Sequence, residues 1–258
     1  MSTDPSDSGQ PLTGVSFGYE RVSQQEKTRR VAGVFSSVAQ RYDLMNDLMS
    51  AGTHRLMKRM MVELSSVQPG NRVLDLAGGT GDISALLAQR VGAQGQVVLA
   101  DINPQMIDVG RDRLIDAGYL QVSYAQSAAE KLPFKNGSFD CATISFGLRN
   151  FTAKDQALAE LNRVLRPEGV LLILEFSQPA NPILETAYHA FQSFWPLMGK
   201  ALVGEGDSYR YLVESIRVHP SQKALKVMIE DAGFHSVTYH NLLGGIAAIH
   251  RGLAAGRT

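Results

Sequence analysis

The chain has 258 residues and a formal net charge of zero, with 25 Lys+Arg against 25 Asp+Glu. Hydrophobic residues make up 44% and charged ones 19%, which excludes a largely disordered chain and suits one large α/β domain. Zero net charge argues against a nucleic-acid partner, the single Cys141 cannot close an intrachain disulfide, and no apolar run reaches the ~20 residues of a membrane span. The polar N-terminus lacks a signal-peptide core, so a cytoplasmic protein is expected.

Residues 1–20, rich in Ser, Asp, Gly and Pro, read as a disordered tail, and residues 21–258 as a single domain. From Val31 the spacing of Val34, Phe35, Val38 and Tyr42 is helical. A second helix follows Thr53, with Leu56, Met60 and Leu64 on its apolar face, completing an N-terminal helical cap over about residues 31–66. Strand and helix then alternate, which implies a parallel sheet. Strands are expected at 72–76, 97–100, 122–125, 141–145 and 170–174. Helices are expected at 83–90, from the Asn103 N-cap and Pro104 to Gly118, and from a Thr152/Asp155 capping box to the Pro167-Glu168-Gly169 turn. A helix at 221–232 precedes strands at 236–239 and 246–249, whose short connection suits an antiparallel hairpin. Residues 179–220 are too long for a plain connection and rich in aromatics, so they form an insertion.

The sharpest local signal is V-L-D-L-A-G-G-T-G-D, residues 73–82, at a strand-to-helix junction. Glycines there let a cofactor approach the backbone and leave the helix N-terminus open. Asp101 ends the next strand in V-V-L-A-D, where a carboxylate accepts hydrogen bonds from both hydroxyls of an adenosine ribose. The plainer reading is a tight turn of Gly78, Gly79 and Gly81 with Asp101 capping the following helix; the spacing between them favours nucleoside binding. A dinucleotide fingerprint would place Gly or Ala where Ser84 stands. Asp75 and Asp82 flank the loop and would repel a pyrophosphate, which disfavours a nicotinamide-dependent reductase. S-adenosylmethionine has no phosphate and carries an ammonium and a sulfonium, so it is the expected cofactor.

These residues resemble the class I S-adenosylmethionine-dependent methyltransferases. The resemblance implies a Rossmann-like α/β fold: a seven-stranded, mostly parallel sheet with an antiparallel last strand and helices on both faces. It implies a cofactor-binding set of Asp75, Gly79, Thr80, Gly81, Asp101, Ile102, Ala128, Ala129 and Ser145. Ala77 stands where the first loop glycine is common, which trims space. In A-Q-S-A-A-E-K-L-P-F, Ala128 takes a place often filled by Asp or Asn. Adenine recognition then rests on the backbone of Ala128 and Ala129 and on packing by Ile102.

Three segments narrow the resemblance to the ubiquinone/menaquinone biosynthesis C-methyltransferases: Y-D-L-M-N-D-L-M-S-A-G-T-H (42–54), T-I-S-F-G-L-R-N (143–150) and D-S-Y-R-Y-L-V-E-S-I-R-V-H-P (207–220). R-V-L-R-P-E-G matches less well, because Glu168 replaces a more usual glycine. The family implies methylation of a ring carbon on a polyprenyl benzoquinol or a demethylmenaquinol. Forming a phenolate from a phenol of pKa ~10 at neutral pH costs about 4 kcal/mol. Arg149 is the residue expected to stabilise that charge; a salt bridge is its alternative role, and its place directly after an apolar strand favours the first. Asn150 would hold a water or the second oxygen. Asp43 and His54 are candidate proton acceptors, equally readable as a helix-surface Asp and a helix N-terminal His.

Tyr42 and Asn46, one helical turn apart, would line the substrate pocket with Phe191, Trp195 and Tyr209. Leu184, Tyr188, Phe191 and Trp195 form a helical stripe of the kind that is most often core. Phe194, Leu197 and Met198 widen it, which suggests a lid over an isoprenoid tail or a transient membrane-surface contact by a peripheral protein. Tyr209, Arg210 and Tyr211 would close the pocket mouth. No Cys/His or carboxylate cluster has metal-ligand spacing, so no metal is expected. An O- or N-methyltransferase for another acceptor, a non-catalytic S-adenosylmethionine-binding protein, a homo-oligomer and association with other quinone-biosynthesis enzymes stay open.

Overall fold

Short apolar runs, each closed by a Gly- or Pro-marked turn, build the sheet in the computed structural model, which describes residues 14–38, 47, 50, 52–179, 181–193, 195 and 206–255. β3 (Arg72–Leu76), β4 (Gln96–Asp101), β5 (Val122–Gln126), β6 (Phe139–Ser145) and β7 (Leu165–Phe176) run parallel. β8 (Phe234–Leu242) and β9 (Ala247–Ala254) complete a seven-stranded sheet in the order β5-β4-β3-β6-β7-β9-β8, with β9 antiparallel to both neighbours. The strand order reverses at β3, so the carboxyl ends of β3, β4 and β6 flank a crevice of the kind where ligands bind in α/β sheets.

Strand residues alternate between two apolar cores, as the pleat requires. Val73, Leu172 and Leu174 join Met57, Leu87 and Leu114 on one face, while Leu74, Leu171 and Ile173 join Leu158, Leu161 and Ile229 on the other. α2 (Thr53–Leu64), α3 (Asp82–Val91) and α4 (Pro104–Asp116) contribute to the first core. α5 (Lys154–Val164) and α8 (Gln222–Asp231) contribute to the second. Asn103 caps α4 as expected, accepting hydrogen bonds from the N–H groups of Gln105 and Met106.

Several local expectations are overruled by contacts distant in sequence. Part of the expected tail is a hairpin of β1 (Val15–Phe17) and β2 (Glu20–Val22), and α1 (Gln24–Val38) begins well before Val31. Phe17 stacks on Tyr211 with ring centroids 4.3 Å apart, and buried Lys27 donates to the Phe151 carbonyl at 2.9 Å. The expected capping box does not form: Ala153 is the N-cap of α5, and Glu130 Oε1 accepts from the N–H groups of Thr152 and Ala153 at 3.1 Å each. The turn at Pro167 lies inside β7, where Leu165 pairs with Phe139 and Val170 with Cys141, so residues 166–169 bulge outward. Glu168 adopts φ +62° there, and its carboxylate meets His235 Nε2 at 3.0 Å.

On α2 the buried face is His54, Met57, Lys58, Met61 and Val62; Leu56 and Met60 are exposed, which reverses the face expected from sequence. The insertion carries α6 (Pro182–Ser193) and α7 (Gly206–Arg217). Tyr188, Trp195, Tyr209 and Leu212 all enter the first core. Tyr42, Asp43, Asn46, Phe194, Leu197 and Met198 lie outside the described residues.

Candidate cofactor and substrate site

A cavity of about 610 Å³ opens at the carboxyl ends of β3, β4 and β6 and is roofed by Thr28, Val31, Ala32 and Phe35 of α1. Its floor includes Gly79, Asp101 and Ser145; Ile102, Met106, Ala128 and Ala129 form an apolar side. Gly81 enters α3 at φ +86°, and an added Cβ would lie 2.8 Å from Leu114, so glycine is needed there twice over.

Asp101 fills both roles that its sequence position allows. Its Oδ2 accepts from the Gly79 N–H at 3.0 Å and its Oδ1 from the Asn103 N–H at 2.9 Å, which fastens the glycine loop to the start of α4. Burial pushes its pKa up. Each carboxylate oxygen has a second lone pair, so the two can still accept from a pair of vicinal hydroxyls in the cavity.

A side chamber of about 30 Å³ adjoins this cavity and shares Gly79, Ser145 and Phe146 with it; Lys58, Asp75, Thr80 and Asp82 also line it. Asp75 is buried and accepts from Ser84 Oγ at 2.7 Å and Thr143 Oγ1 at 3.0 Å. Burial pushes its carboxyl up to about 6, against those two hydrogen bonds. Ser84, the departure from a dinucleotide fingerprint, thus has a structural use. Asp82 corrects the sequence reading, because it is not a free negative charge. Lys58 Nζ lies 2.8 Å from Oδ2 and Arg113 Nη2 3.1 Å from Oδ1. Burial opposes its ionisation, but the two cations prevail and hold its pKa down.

The donor set fits an adenosyl amino acid. Asp101 suits the ribose, the apolar side suits the base, and Asp75 and Lys58 offer opposite charges to an ammonium and a carboxylate. Ser145 Oγ is buried with no hydrogen-bond partner among the described residues, which fits a polar group of the ligand beside it.

Of the described residues expected to act on the acceptor, only Asn150 borders the cavity. Its amide Oδ1 accepts from the Tyr211 hydroxyl at 3.0 Å. Arg149 is buried in a salt bridge, with Nη1 2.8 Å from Glu175 Oε1, and also donates to the Phe146 carbonyl. Its charge is therefore neutralised behind the cavity wall. The position after an apolar strand, which favoured a phenolate partner, instead gives it a buried counter-ion. His54 is buried beside Ser50 Oγ at 2.8 Å, with burial lowering its pKa, and it does not line the cavity. Trp195 and Tyr209 are fully covered, so Trp195 is no surface anchor, while Phe191 is half exposed and packs edge-on against it at 5.6 Å. Tyr209 is likewise too deep to close a pocket mouth.

Sequence reasoning missed Lys58 and Glu175, and it placed Tyr211 at the pocket mouth without its hydrogen bond to Asn150. Lys58 carried a legible signal: His54, Met57, Lys58, Met61 and Val62 follow the three- and four-residue spacing of one helix face. Glu175 carried none, and nothing near Tyr211 pointed to Asn150, since each contact is defined by a partner in a different element.

The chain matches the ubiE/COQ5 methyltransferase family over residues 22–254. It is 58% identical over 241 residues to the ubiquinone/menaquinone biosynthesis C-methyltransferase UbiE of Teredinibacter turnerae, covering 93% of this chain and 97% of that one. It is 57% identical to the protein of the same name from Pseudomonas paraeruginosa, covering 92% and 93%. Its fold resembles that of a SAM-dependent methyltransferase from Aquifex aeolicus, with a TM-score of 0.60, 17% identity and 82% and 97% of the two chains covered. With the family matched over nearly its whole length and relatives above half identity, this chain belongs to the ubiE/COQ5 methyltransferase family.

Proposed function

We propose that this protein uses S-adenosylmethionine to methylate a ring carbon of a polyprenyl quinol in ubiquinone and menaquinone biosynthesis. The observation that carries this reading is a cavity lined by both Asp101 and Asn150, with the Asp75–Lys58 chamber adjoining it at Gly79, Ser145 and Phe146. Bound there, S-adenosylmethionine supplies an electrophilic methyl group on a cationic sulfonium. Asp101 accepts the ribose hydroxyls, Ile102 and the Ala128–Ala129 backbone hold the base, and Ser145 offers its hydroxyl to the amino-acid end. Asp75 and Lys58, with Thr80 beside them, orient that end by charge. Gly79 and Gly81 keep the loop close and free of side chains.

On the acceptor side, Asn150 contacts a ring oxygen, and α1 excludes water from above. The Arg149–Glu175 pair fixes the turn that bears Asn150, because Glu175 Oε2 accepts from the Arg149 N–H at 3.2 Å. Its contribution is placement, which in methyl transfer is worth several kcal/mol. Since His54 stands off the cavity, Asp43 is the proton acceptor we favour of the pair expected from sequence.

An isoprenoid substrate would reach the protein from a bilayer. No helix among the described residues is long and apolar enough to cross a membrane. Ile183 and Phe191 on α6 and Leu243 in the turn before β9 are exposed apolar side chains, and α6 lies against that turn through Leu184 and Gly244. At ~25 cal/mol per Å², such a patch supports reversible surface contact only. This patch replaces Trp195 as the membrane contact.

The reading is tested with purified protein, S-adenosylmethionine labelled in the methyl group and a short-tailed quinol. Label is expected on a ring carbon, and Asp101→Ala should abolish it, by losing charge-assisted hydrogen bonds worth roughly 1.5–3 kcal/mol each. Label on oxygen or nitrogen, or no transfer, would overturn the assignment. Replacing Ile183 and Phe191 by Ser should lower the stimulation by vesicles for long-tailed quinols alone; equal losses on short tails would refute the membrane contact.

A further inference from the structure

Asn150 is oriented toward its ligand by one hydrogen bond. It borders the cavity, and its Oδ1 is already committed to the Tyr211 hydroxyl at 3.0 Å. A carboxamide is rigid and planar, so fixing its oxygen on one side turns Nδ2 to the other. The Nδ2 hydrogens have no partner among the described residues. Tyr211 is itself buried, and burial pushes its pKa up to about 12, so it remains a donor at any ordinary pH.

Tyr211 is braced from the far end of the chain. The Phe17 ring stacks on it at 4.3 Å with 19° between planes, and the Arg30 guanidinium lies over the Phe17 ring at 5.4 Å. The same hairpin is tied to α7 at two more points: the Tyr19 N–H donates to Glu214 at 3.3 Å, and Arg217 donates to the Tyr19 hydroxyl at 3.1 Å.

We propose that Tyr211, held by Phe17, is a positioning residue that turns the Nδ2 donors of Asn150 toward the acceptor. The site then selects a molecule that offers an oxygen lone pair beside the carbon to be methylated, a ring hydroxyl or its conjugate base. An acceptor presenting only a donor, such as a ring N–H, is rejected. This rests on the quinol reading above and adds the direction of the hydrogen bond to it.

The test is Tyr211→Phe, which removes one hydroxyl and keeps the stacked ring. The affinity for S-adenosylhomocysteine should be unchanged, while kcat/KM for the quinol falls about fivefold, the worth of one neutral hydrogen bond. In an Asn150→Ala background the same substitution should cost nothing further, and Phe17→Leu should reproduce part of the loss only when Asn150 is present. Wild-type kinetics for Tyr211→Phe, or an equal loss in both backgrounds, would overturn the proposal. Independently of turnover, the Nδ2 proton resonances of Asn150 should shift in Tyr211→Phe. Unchanged resonances would refute the contact even in a protein that proved inactive on quinols, an inactivity that would count against the proposed function instead.

Discussion

Arg149 and Glu175 face each other across the ends of β6 and β7, with Nη1 2.8 Å from Oε1 and both side chains buried. The guanidinium lies over the Phe176 ring at 5.7 Å, and Glu175 also accepts the N–H groups of Arg149 and Phe176. Two desolvated charges thus satisfy each other, the Arg149 N–H and Phe146 carbonyl of the turn that carries Asn150, and the Phe176 N–H of β7. Removing one partner leaves the other buried and unpaired, which typically costs 3–5 kcal/mol, whereas replacing both by apolar residues is often neutral. Arg149→Ala should therefore lower stability to chemical denaturation by roughly that amount. Arg149→Met with Glu175→Leu should recover most of it, yet remain at least about tenfold slower in methyl transfer because the turn is no longer pinned. A stable but inactive Arg149→Ala protein would instead give the guanidinium a direct catalytic role.

If Asp75 holds the ammonium of the cofactor, affinity should depend on pH. Its carboxyl is pushed up to about 6 by burial, above the ~3.9 of an unfolded chain. Its contribution to folding stability is therefore fully present below about pH 4 and is lost as pH rises through about 6. Binding an ammonium has the opposite preference and needs the ionised form. The dissociation constant for S-adenosylhomocysteine, followed by calorimetry, should rise by up to tenfold per pH unit below 6, and Asp75→Asn should remove that slope.

Lys58 is only 7% exposed, yet it lines the small chamber beside Asp75. If it holds a carboxylate, Lys58→Met should weaken S-adenosylhomocysteine by roughly ten- to a hundredfold, the worth of one charge-assisted hydrogen bond. Binding of 5′-methylthioadenosine, which lacks the amino-acid end, should hardly change. Parallel losses for both ligands would show that Lys58 serves the loop through Asp82 instead.

Ala77 and Gly147 are coupled. Ala77 adopts φ +55°, and a Cβ added to Gly147 would lie 2.7 Å from the Ala77 Cβ. Gly147→Ala should destabilise the protein by about 1–3 kcal/mol in thermal or chemical melts, and Ala77→Gly in the same chain should restore most of it. Additive effects of the two changes would place the clash elsewhere.

The sheet was legible because buried strands and their Gly- and Pro-marked turns are local signals. Val73, Leu74 and Leu76 announce a strand without help from the rest of the chain. The cofactor end of the site was legible for the same reason, since the glycine loop and Asp101 lie on adjacent parallel strands at a conventional spacing. The acceptor end was not. The partner of Arg149 is 26 residues away and that of Asn150 is 61 residues away, so nothing near either residue distinguishes a buried ion pair from a catalytic cation. The face of α2 was misread because Leu56 and Met60 were put inward on apolarity alone, when Lys58 is buried with its ammonium on the Asp82 carboxylate.

The roof over the cavity also sets an order of assembly. α1 and the hairpin before it leave the ribosome ahead of the sheet, but their anchors are made late: Phe151 is 124 residues beyond Lys27, and Glu214 is 195 residues beyond Tyr19. Contacts of such separation close slowly, because the loop entropy is lost before they form. The sheet and its glycine loop can therefore be complete while the N-terminal segment is still undocked. The protein would pass through a stage in which a finished cofactor floor stands open to solvent, and the last event of its folding would be the closing of its own active site.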